Sequence, residues 1–500
     1  MASRCVTLGI DLGTTSVKAA LLEAAPGHPS GFVVLASCAR AAQAEAESEV
    51  AGPQGLTAQA DLKLKMLLPQ PPRLLGLQGR EQDVNRIIQA LNECLTALPQ
   101  QQLQKVRAIG VSGQMHGIVF WKTGQGCDWT EGEAAPVFKP RAVSHLVTWQ
   151  DARCSSEFLA SLPRPASHLS VATGFGCATI FWLLKNSPDF LKSYDAAGTI
   201  QDYVVAMLCD LPRPLMSDQN AASWGYFNTQ GQSWNLEILK VSGFPVHLLP
   251  GIAEPGSVAG RTSHSWFEIS KGTQVGVAMG DLQASVYSCM GQRTDAVLNI
   301  STSVQLAASM PSGFQPTQTP DPAAPVAYFP YFDRTYLGVA ASLNGGNVLA
   351  TFVHMLVQWM ADLGLGVEES TVYSRMIQAA AQQRDTCLTI TPTVLGERHL
   401  PDQLASVTRI SSSDLSLGHV TRALCRGIVQ NLHSMLPVQQ LKEWGVERVM
   451  GSGSALSRNE VLRQEVQSAF PLPMSFGQDV DAAVGAALVM LQRSLHQKDS

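Results

Sequence analysis

The sequence predicts an α/β protein of two domains. Strand-like and helix-like stretches alternate through much of the chain, and its 500 residues exceed the length at which one hydrophobic core keeps growing. A strand–bend–strand pattern near the start also recurs past the middle of the chain. The recurrence suggests two related halves, each with its own core.

The individual elements follow from the spacing of apolar residues. Leu8–Glu23 has apolar residues on both sides of a polar bend, which indicates two buried strands, and Arg107–Trp121 reads as strand, turn and strand. Apolar residues at helical spacing between 84 and 95 predict an amphipathic helix. Ala41–Gly79 is rich in Ala, Gln, Gly and Pro, which predicts a partly irregular excursion over the surface, and Pro311–Pro325 is loop-like.

Composition favours a small-molecule partner. The formal net charge is −5 and no dense run of Lys or Arg occurs, which argues against nucleic acid or an anionic membrane as the main partner. No apolar stretch is long enough to span a bilayer, and the N-terminus runs into the first strand without an apolar signal region, so a cytoplasmic location is expected. The ten cysteines stand singly, which predicts reduced thiols and no zinc site.

The bend of the opening stretch, "DLGTT", contains a carboxylate, a glycine and two hydroxyls. A hairpin turn accounts for these residues, because Gly tolerates positive φ and Asp and Thr bond to their own backbone. Taken alone, the bend would be read as such a turn. The alternative is a phosphate cradle, in which backbone N–H groups and hydroxyls face an anion, Lys18 neutralises it and Asp11 holds a hydrated magnesium ion. The rest of the chain must decide between the two.

The recurrence of this pattern favours the cradle. Val297–Ser309 repeats an apolar strand, a small hydroxylated bend at Ser301–Ser303 and a second strand. Neither a GxxxxGK[ST] loop nor a well-placed GxGxxG is present, which excludes a Walker-type NTPase and a dinucleotide-binding fold. "GSGSALS" at Gly451–Ser457 lies between strand-like and helix-like stretches, where glycines let a ligand approach the backbone, although an ordinary glycine-rich loop would look the same.

These stretches together resemble the FGGY family of carbohydrate kinases. The motifs occur in the family's order and cover nearly the whole chain: "DLGTTSVKAALL", "GREQD", "SGQMHG", "TWQDAR", "GDLQAS", "LNGGN", "GER", "GSGSALS" and "DAAVGAAL". The resemblance implies two actin-like or hexokinase-like (ribonuclease H-like) ATPase domains flanking a cleft, residues 1–290 and 291–500. It also implies an ATP- and Mg²⁺-dependent kinase acting on a small-molecule ketose, since "SGQMHG" in a chain of this length is similar to the family's ketose kinases.

The resemblance further implies a role for particular residues. Asp281 would be the catalytic base, and Asp11 would hold Mg²⁺ through water. The substrate would be bound by Gln114, Met115, His116, Asp151 and Asp281. ATP would be bound by Gly13, Thr14, Thr15, Lys18, Thr302, Ser303, Gly346, Gly451, Gly453 and Asn459. Trp149 would either pack against the sugar or fill the core.

Three departures from the family's pattern are visible. Ser301 replaces the usual glycine, which predicts a slightly reshaped loop because serine costs more than glycine at positive φ. Met450 and Ser452 dilute the usual glycine run, and Ala178–Ile180 stand where many relatives have a lysine. Catalysis stays expected, but two alternatives stay open: a kinase for xylulose or another polyol, and an inactive nucleotide-binding regulatory protein.

Overall fold

The computed structural model describes residues 6–25, 28, 31–50, 80–130, 136–321, 323–400, 402–476 and 481–496. The chain divides into two compact units. The first holds the described residues up to Ser288, Thr317–Pro320 and the C-terminal part from Asp481, and the second holds Cys289–Pro316 and Asp321–Val480. Residues 291–500, expected from the resemblance as one domain, are divided: the part from Asp481 belongs to the first unit.

The first unit is built on a seven-stranded sheet with smaller sheets beside it. Its strands are β1 Val6–Leu12, β2 Ser16–Ala24, β3 Phe32–Ala41, β4 Glu45–Ala46, β5 Glu81–Gln82, β6 Val106–Gly113, β7 Val119–Trp121, β8 Cys127–Thr130, β9 Val137–Pro140, β10 Leu146–Val147, β11 Ala196–Gly198, β12 Leu215–Ser217, β13 Phe227–Asn228, β14 Ser233–Trp234, β15 Gly251–Ala253, β16 Val258–Arg261, β17 Gln274–Gly276 and β18 Met279–Gly280. Its helices are Val84–Ala97, Gln100–Leu103, Ser156–Ser161, Gly176–Asn186, Pro188–Lys192, Ile200–Cys209, Asp218–Trp224, Leu236–Val241, Asp281–Cys289 and Ala482–His496, with a 3₁₀ turn at Val246–Leu248.

Strand direction brings three chain segments to one edge of the large sheet. The strand order is β16-β17-β6-β1-β2-β3, and β18 also pairs with β6. Strands β1 and β18 both run parallel to β6, in a register that aligns Leu12 with Gly113 and Gly280 with Gly113. The residues that follow these three strands therefore meet at their carboxyl ends, which is where α/β sheets bind ligands.

The C-terminal helix Ala482–His496 lies directly on this sheet because two strand glycines leave room for it. A Cβ atom at Gly9 would come within 1.8 Å of Ala483 O, and one at Gly110 within 2.1 Å of Ala486 O. Ala20 and Leu22 of β2 pack against the same helix. Its first turn is thereby fixed near the carboxyl end of β1.

The second unit contains a six-stranded sheet of order β21-β22-β20-β19-β25-β26. The strands of this unit are β19 Asp295–Ile300, β20 Val304–Ser309, β21 Val326–Pro330, β22 Tyr336–Ser342, β23 Thr389–Thr391, β24 Ser406–Thr408, β25 Arg448–Ser452 and β26 Met474–Phe476. Of these, β23 and β24 form a separate two-stranded sheet. Its helices are Gly346–Asp362, Glu369–Ala381, Leu417–Met435, Val438–Glu443, Ser454–Arg458 and Glu460–Ala469, with 3₁₀ turns at Phe332–Arg334 and Ser412–Asp414.

Several predictions of elements are confirmed. Helix Val84–Ala97 begins after the N-cap Asp83 and buries the expected apolar face, including Ile87, Leu91 and Leu95. The recurring pattern forms the antiparallel pair β19–β20, the counterpart of β1–β2. No helix or strand occurs among the described residues of Pro311–Pro325. Residues 51–79 of the predicted excursion lie outside the described residues.

Among the described residues, no helix has the length and hydropathy that a bilayer-spanning segment requires.

Candidate active site

Asp11 is the penultimate residue of β1 and only 5% of its surface is exposed. Its Oδ1 accepts a 3.4 Å hydrogen bond from Ser112 Oγ, and Ser112 is its register partner on β6. Burial, and next the negative charge of Asp281, raise the pKa of Asp11 to about 7 against the opposing effect of Lys18. Since carboxylates crowd this point, a cation bound there would relieve their repulsion.

Asp281 follows β18 directly and opens the helix Asp281–Cys289. The backbone N–H of Leu282 donates to its Oδ1 at 2.8 Å, which fixes the carboxyl group at the helix terminus. Burial raises the pKa of Asp281 to about 6, while the hydrogen bond from Leu282 and the charge of Lys18 oppose that shift. A carboxyl group with this pKa is mostly ionised at neutral pH and can accept a proton.

Lys18 supplies positive charge to the same place. It pairs with Asp11 across β1 and β2, and its Nζ lies 3.7 Å from Oδ2 of Asp481. Asp481 begins the C-terminal helix and accepts a 2.9 Å hydrogen bond from the N–H of Val484 at Oδ1. The sequence analysis missed Asp481, although an Asp before an Ala-rich helical stretch is an N-cap signal.

We call Gly13–Thr15, between β1 and β2, the first bend. The N–H of Gly13 donates to Ser16 O at 3.1 Å, and the carbonyl of Thr15 accepts from Ala42 N at 3.0 Å. Thr15 is exposed, and Gly13 and Thr14 are half-buried. The first bend is thus a turn fixed by backbone hydrogen bonds, and its threonine side chains lie at the surface next to Asp11.

The predicted substrate residues Gln114, Met115 and His116 follow β6. His116 has a φ of 74°, its Nδ1 lies 2.9 Å from Ser223 O, and its ring stacks on Phe175 at 4.4 Å between centroids. A Cβ atom at Gly280 would come within 2.8 Å of Met115 Sδ, so Met115 lies beside the residue that precedes Asp281. A left-handed backbone conformation is uncommon for histidine, and here the contacts with Ser223 and Phe175 hold the residue in it.

Gln114 is buried and hydrogen-bonded through its amide nitrogen. Its Nε2 donates to Gln82 Oε1 at 3.0 Å, and its backbone N–H donates to Leu12 O at 3.0 Å. Its Oε1 has no hydrogen-bond partner among the described residues. A buried acceptor left open next to the ends of β1 and β6 could take a hydroxyl donor from a ligand.

Asp151 lies in a buried ion network. It is 0% exposed, and its oxygens accept from Arg80 N at 2.8 Å, from Arg153 N at 3.0 Å, and from Arg153 Nε and Nη2 at 2.8 and 2.9 Å. Arg153 Nη2 also donates to Glu81 Oε1 at 2.6 Å. These bonds join the segments "GREQD" and "TWQDAR", and a sugar contact of Asp151 stays a prediction.

Trp149 does not fill the core. It is 37% exposed, and its Nε1 donates to Thr14 Oγ1 of the first bend at 3.0 Å. Of the two alternatives open from the sequence, core packing is therefore excluded.

In the second unit, we call Ser301–Ser303 the second bend. Ser301 O accepts from Gly346 N at 2.8 Å, and Thr302 O accepts from Asn347 N at 3.1 Å. Ser301 is not among the residues with positive φ, so replacing the family's glycine causes no backbone strain here. The premise of a positive φ at this position is therefore not met, and the reshaping of the loop stays a prediction.

The glycines of the second unit lie beside this bend. A Cβ atom at Gly346 would come within 2.4 Å of Ser301 O, and one at Gly453, whose φ is 96°, within 2.3 Å of Ile300 O. Gly451 lies on β25 in register with Leu298 of β19. The fold thus brings Gly346 and Gly453 next to the second bend, and Gly451 of β25 lies two residues before Gly453.

Asn459, also predicted to contact ATP, caps a helix. It is fully buried and is the N-cap of the helix Glu460–Ala469, where its Oδ1 accepts from Leu462 N at 3.0 Å. Its Nδ2 donates to Cys425 Sγ at 3.6 Å. A contact of Asn459 with ATP stays a prediction.

The chain is similar to known carbohydrate kinases. Residues 55–288 match the FGGY family of carbohydrate kinases, N-terminal domain. The chain is 84% identical over 499 residues to sedoheptulokinase of Mus musculus and 83% identical over 502 residues to sedoheptulokinase of Homo sapiens, with 100% of both chains covered in each case.

The fold is also that of solved sugar kinases. Xylulose kinase from Rhodospirillum rubrum has a TM-score of 0.72 and 16% sequence identity, and the match covers 98% of this chain and 90% of the other. The likeness confirms the predicted α/β class with two actin-like domains.

Proposed function

We propose that this chain, which belongs to the FGGY family of carbohydrate kinases, transfers the γ-phosphoryl group of ATP to sedoheptulose. Identity of 84% and 83% over the full length of two proteins named sedoheptulokinase supports the choice of this ketose over xylulose or another polyol. Phosphorylation of the terminal hydroxyl gives sedoheptulose 7-phosphate and ADP, a product suited to the pentose phosphate pathway. A cytoplasmic location stays a prediction.

The observation that carries the mechanism is the position of Asp281. It stands at the carboxyl end of β18, beside Asp11, with a pKa raised to about 6 by burial. Asp281 would accept the proton of the attacking hydroxyl as the O–P bond forms and the bond to ADP breaks. Its hydrogen bond from Leu282 N–H aims the carboxyl group during this step.

The residues around Asp11 fit a magnesium ion. Mg²⁺ prefers oxygen ligands and retains several waters, and Asp11 offers a carboxylate. The negative charges of Asp281 and Asp481 favour protonation of this carboxylate, and a bound cation would offset those charges and keep Asp11 ionised. We propose that Asp11 holds the ion through water. Magnesium bound with ATP would supply positive charge to the β- and γ-phosphates.

The protein's own groups would position the phosphates. Lys18 contributes a cation beside Asp11, and the first bend offers N–H groups and hydroxyls. In the second unit, we propose that Thr302 and Ser303 contact the phosphates and that Gly346, Gly451 and Gly453 bind near the rest of the nucleotide. We propose that Asn459, the N-cap of the helix Glu460–Ala469, also belongs to the nucleotide site.

On the sugar side, we propose that His116, Met115 and Gln114 contact the ketose. Gln114 brings the open acceptor Oε1, and Met115 lies next to Gly280, one residue before the proposed base. His116 is held by Ser223 and Phe175. A ketose with many hydroxyls needs such fixed donors and acceptors.

A coupled assay for ADP tests the proposal. The purified full chain receives Mg–ATP and, separately, sedoheptulose, xylulose, ribulose and glycerol. The proposal expects turnover with sedoheptulose well above that with xylulose, ribulose or glycerol. Higher turnover with xylulose would reassign the substrate, and a folded, ATP-binding protein without any sugar-dependent ADP would be the inactive regulatory protein.

A further inference from the structure

Two side chains hold the first bend at a single residue, Thr14. Nε2 of Gln82 donates to Thr14 O at 2.8 Å, and Nε1 of Trp149 donates to Thr14 Oγ1 at 3.0 Å. Both the carbonyl and the hydroxyl of Thr14 are thereby engaged. The orientation of the bend depends on these two donors.

Both donors come from one small sheet. Strand β5 carries Gln82 and pairs with β10, where Leu146 is its register partner. Trp149 follows β10 by two residues, and Thr148 between them donates its N–H to Arg80 O at 3.0 Å. Gln82 and Trp149 therefore belong to one hydrogen-bonded element.

A buried ion network locks this element. Arg153 bridges Asp151 and Glu81, with Nε at 2.8 Å from Asp151 Oδ1 and Nη2 at 2.6 Å from Glu81 Oε1. All three side chains are nearly inaccessible to solvent. Hydrogen bonds between charged groups are strong in a low-dielectric interior, so this network makes the element rigid. The same bonds compensate for the burial of the Asp151 carboxylate.

The same element reaches the proposed sugar contacts. Gln82 is 4% exposed, and its Oε1 accepts from Gln114 Nε2 at 3.0 Å while its Nε2 donates to Thr14. One buried amide thus connects Gln114, after β6, with Thr14, after β1. A displacement of Gln114 is transmitted to the first bend by direct hydrogen bonds.

We propose that Gln82 and Trp149 are positioning residues that set the first bend for phosphoryl transfer. This rests on the proposed function, since it assigns the bend to the phosphates of ATP. Phosphoryl transfer depends mainly on placement of the reacting groups, so loosening the bend should lower the rate at saturating sugar. The indole N–H of Trp149, rather than its ring, carries the effect.

A double-mutant cycle tests this role. Trp149→Phe keeps an aromatic ring and removes the N–H, and Thr14→Val removes the hydroxyl acceptor. Loss of one hydrogen bond predicts that Trp149→Phe lowers kcat/KM for ATP about fivefold. KM for sedoheptulose should stay within about twofold, and adding Trp149→Phe to Thr14→Val should produce little further loss.

Trp234→Phe is the matched control, because the indole N–H of Trp234 donates to Pro250 O at 3.0 Å in the same unit without contact to the bend. It should leave the kinetic constants unchanged. Equal effects of Trp149→Phe in the wild-type and Thr14→Val backgrounds would show that Trp149 acts independently of the Thr14 hydroxyl and would overturn the proposal. A raised KM for sedoheptulose would show that Trp149 acts on the sugar and would overturn it as well. An unchanged kcat/KM for ATP in Trp149→Phe would overturn it too.

Gln82→Glu tests the second donor, since glutamate keeps an acceptor for Gln114 Nε2 and, when ionised, cannot donate to Thr14 O. The proposal expects a lower kcat/KM for ATP, and an unchanged value would remove Gln82 from it. Calorimetric titration of the same variants with Mg–ATP in the absence of sugar separates this proposal from the proposed function. If the wild type binds ATP but phosphorylates no sugar, the function fails, and the cycle in ATP affinity still decides the role of Trp149.

Discussion

The carboxyl groups of Asp11 and Asp281 interact across the ends of β1 and β18, and this repulsion adds to burial in raising the pKa of Asp11 to about 7. Both strands pair with β6, so the sheet itself places the two acids together. Lys18 is the cation that opposes their repulsion. The pair combines a candidate magnesium site with a candidate base.

The pH dependence of turnover should report Asp281. Its carboxylate must be ionised to accept a proton, and burial raises its pKa to about 6. We therefore expect kcat/KM for sedoheptulose to fall below a pH of about 6, by about tenfold per unit in the limit. Initial rates between pH 4.5 and 8.5 check this. A kcat/KM for sedoheptulose that does not change down to pH 4.5 would contradict the role of Asp281.

Replacing Asp11 should stabilise the protein at high pH. A folded pKa of about 7 against the ordinary 3.8 means that the folded state binds the proton more tightly. The stability linked to that proton is complete below pH 3.8 and is lost as the pH rises through 7. Asp11→Asn should raise the free energy of unfolding by about 2 kcal/mol at pH 8 and much less at pH 4.5.

Urea unfolding at the two pH values, without Mg²⁺ or ATP, measures the difference. The same variant should need far more Mg²⁺ for phosphoryl transfer. If Asp11→Asn gained the same stability at both pH values, ionisation of Asp11 would not destabilise the folded protein.

Removing the charge of Arg153 should destabilise the folded protein far more than removing the charge of an exposed arginine. Arg153→Met leaves the buried carboxylates of Asp151 and Glu81 without their partner, which typically costs about 3–5 kcal/mol. Thermal unfolding should show a large drop in Tm for this variant. Arg141→Met, which breaks an exposed 2.8 Å pair with Asp128, is the control and should change Tm little.

Local patterns in the sequence predicted much of the fold and part of the site. The bend after β1 is readable because polar residues at a strand end stand out between apolar runs, whereas Asp281 after β18 was predicted from the resemblance to the FGGY family. Helix Val84–Ala97 is readable because its apolar period is strong.

What spacing could not predict are contacts between distant residues. The ion pair of Lys18 with Asp481 depends on the C-terminal helix lying on β1, where two glycines leave room for it. The burial of Asp151 depends on Arg153 and Glu81 meeting across a small sheet. An acid that binds a ligand and an acid locked in an ion network look alike in sequence.

The most direct test of the account is turnover of Asp281→Asn with sedoheptulose and Mg–ATP, with the phosphorylated sugar detected by phosphorus NMR. Asp189→Asn, the same change at an exposed first-turn position, is the control and should behave like the wild type. The account predicts a folded variant whose kcat is at least about a thousandfold lower, with little change in KM for either substrate. Near-normal formation of the sugar phosphate by Asp281→Asn would contradict it.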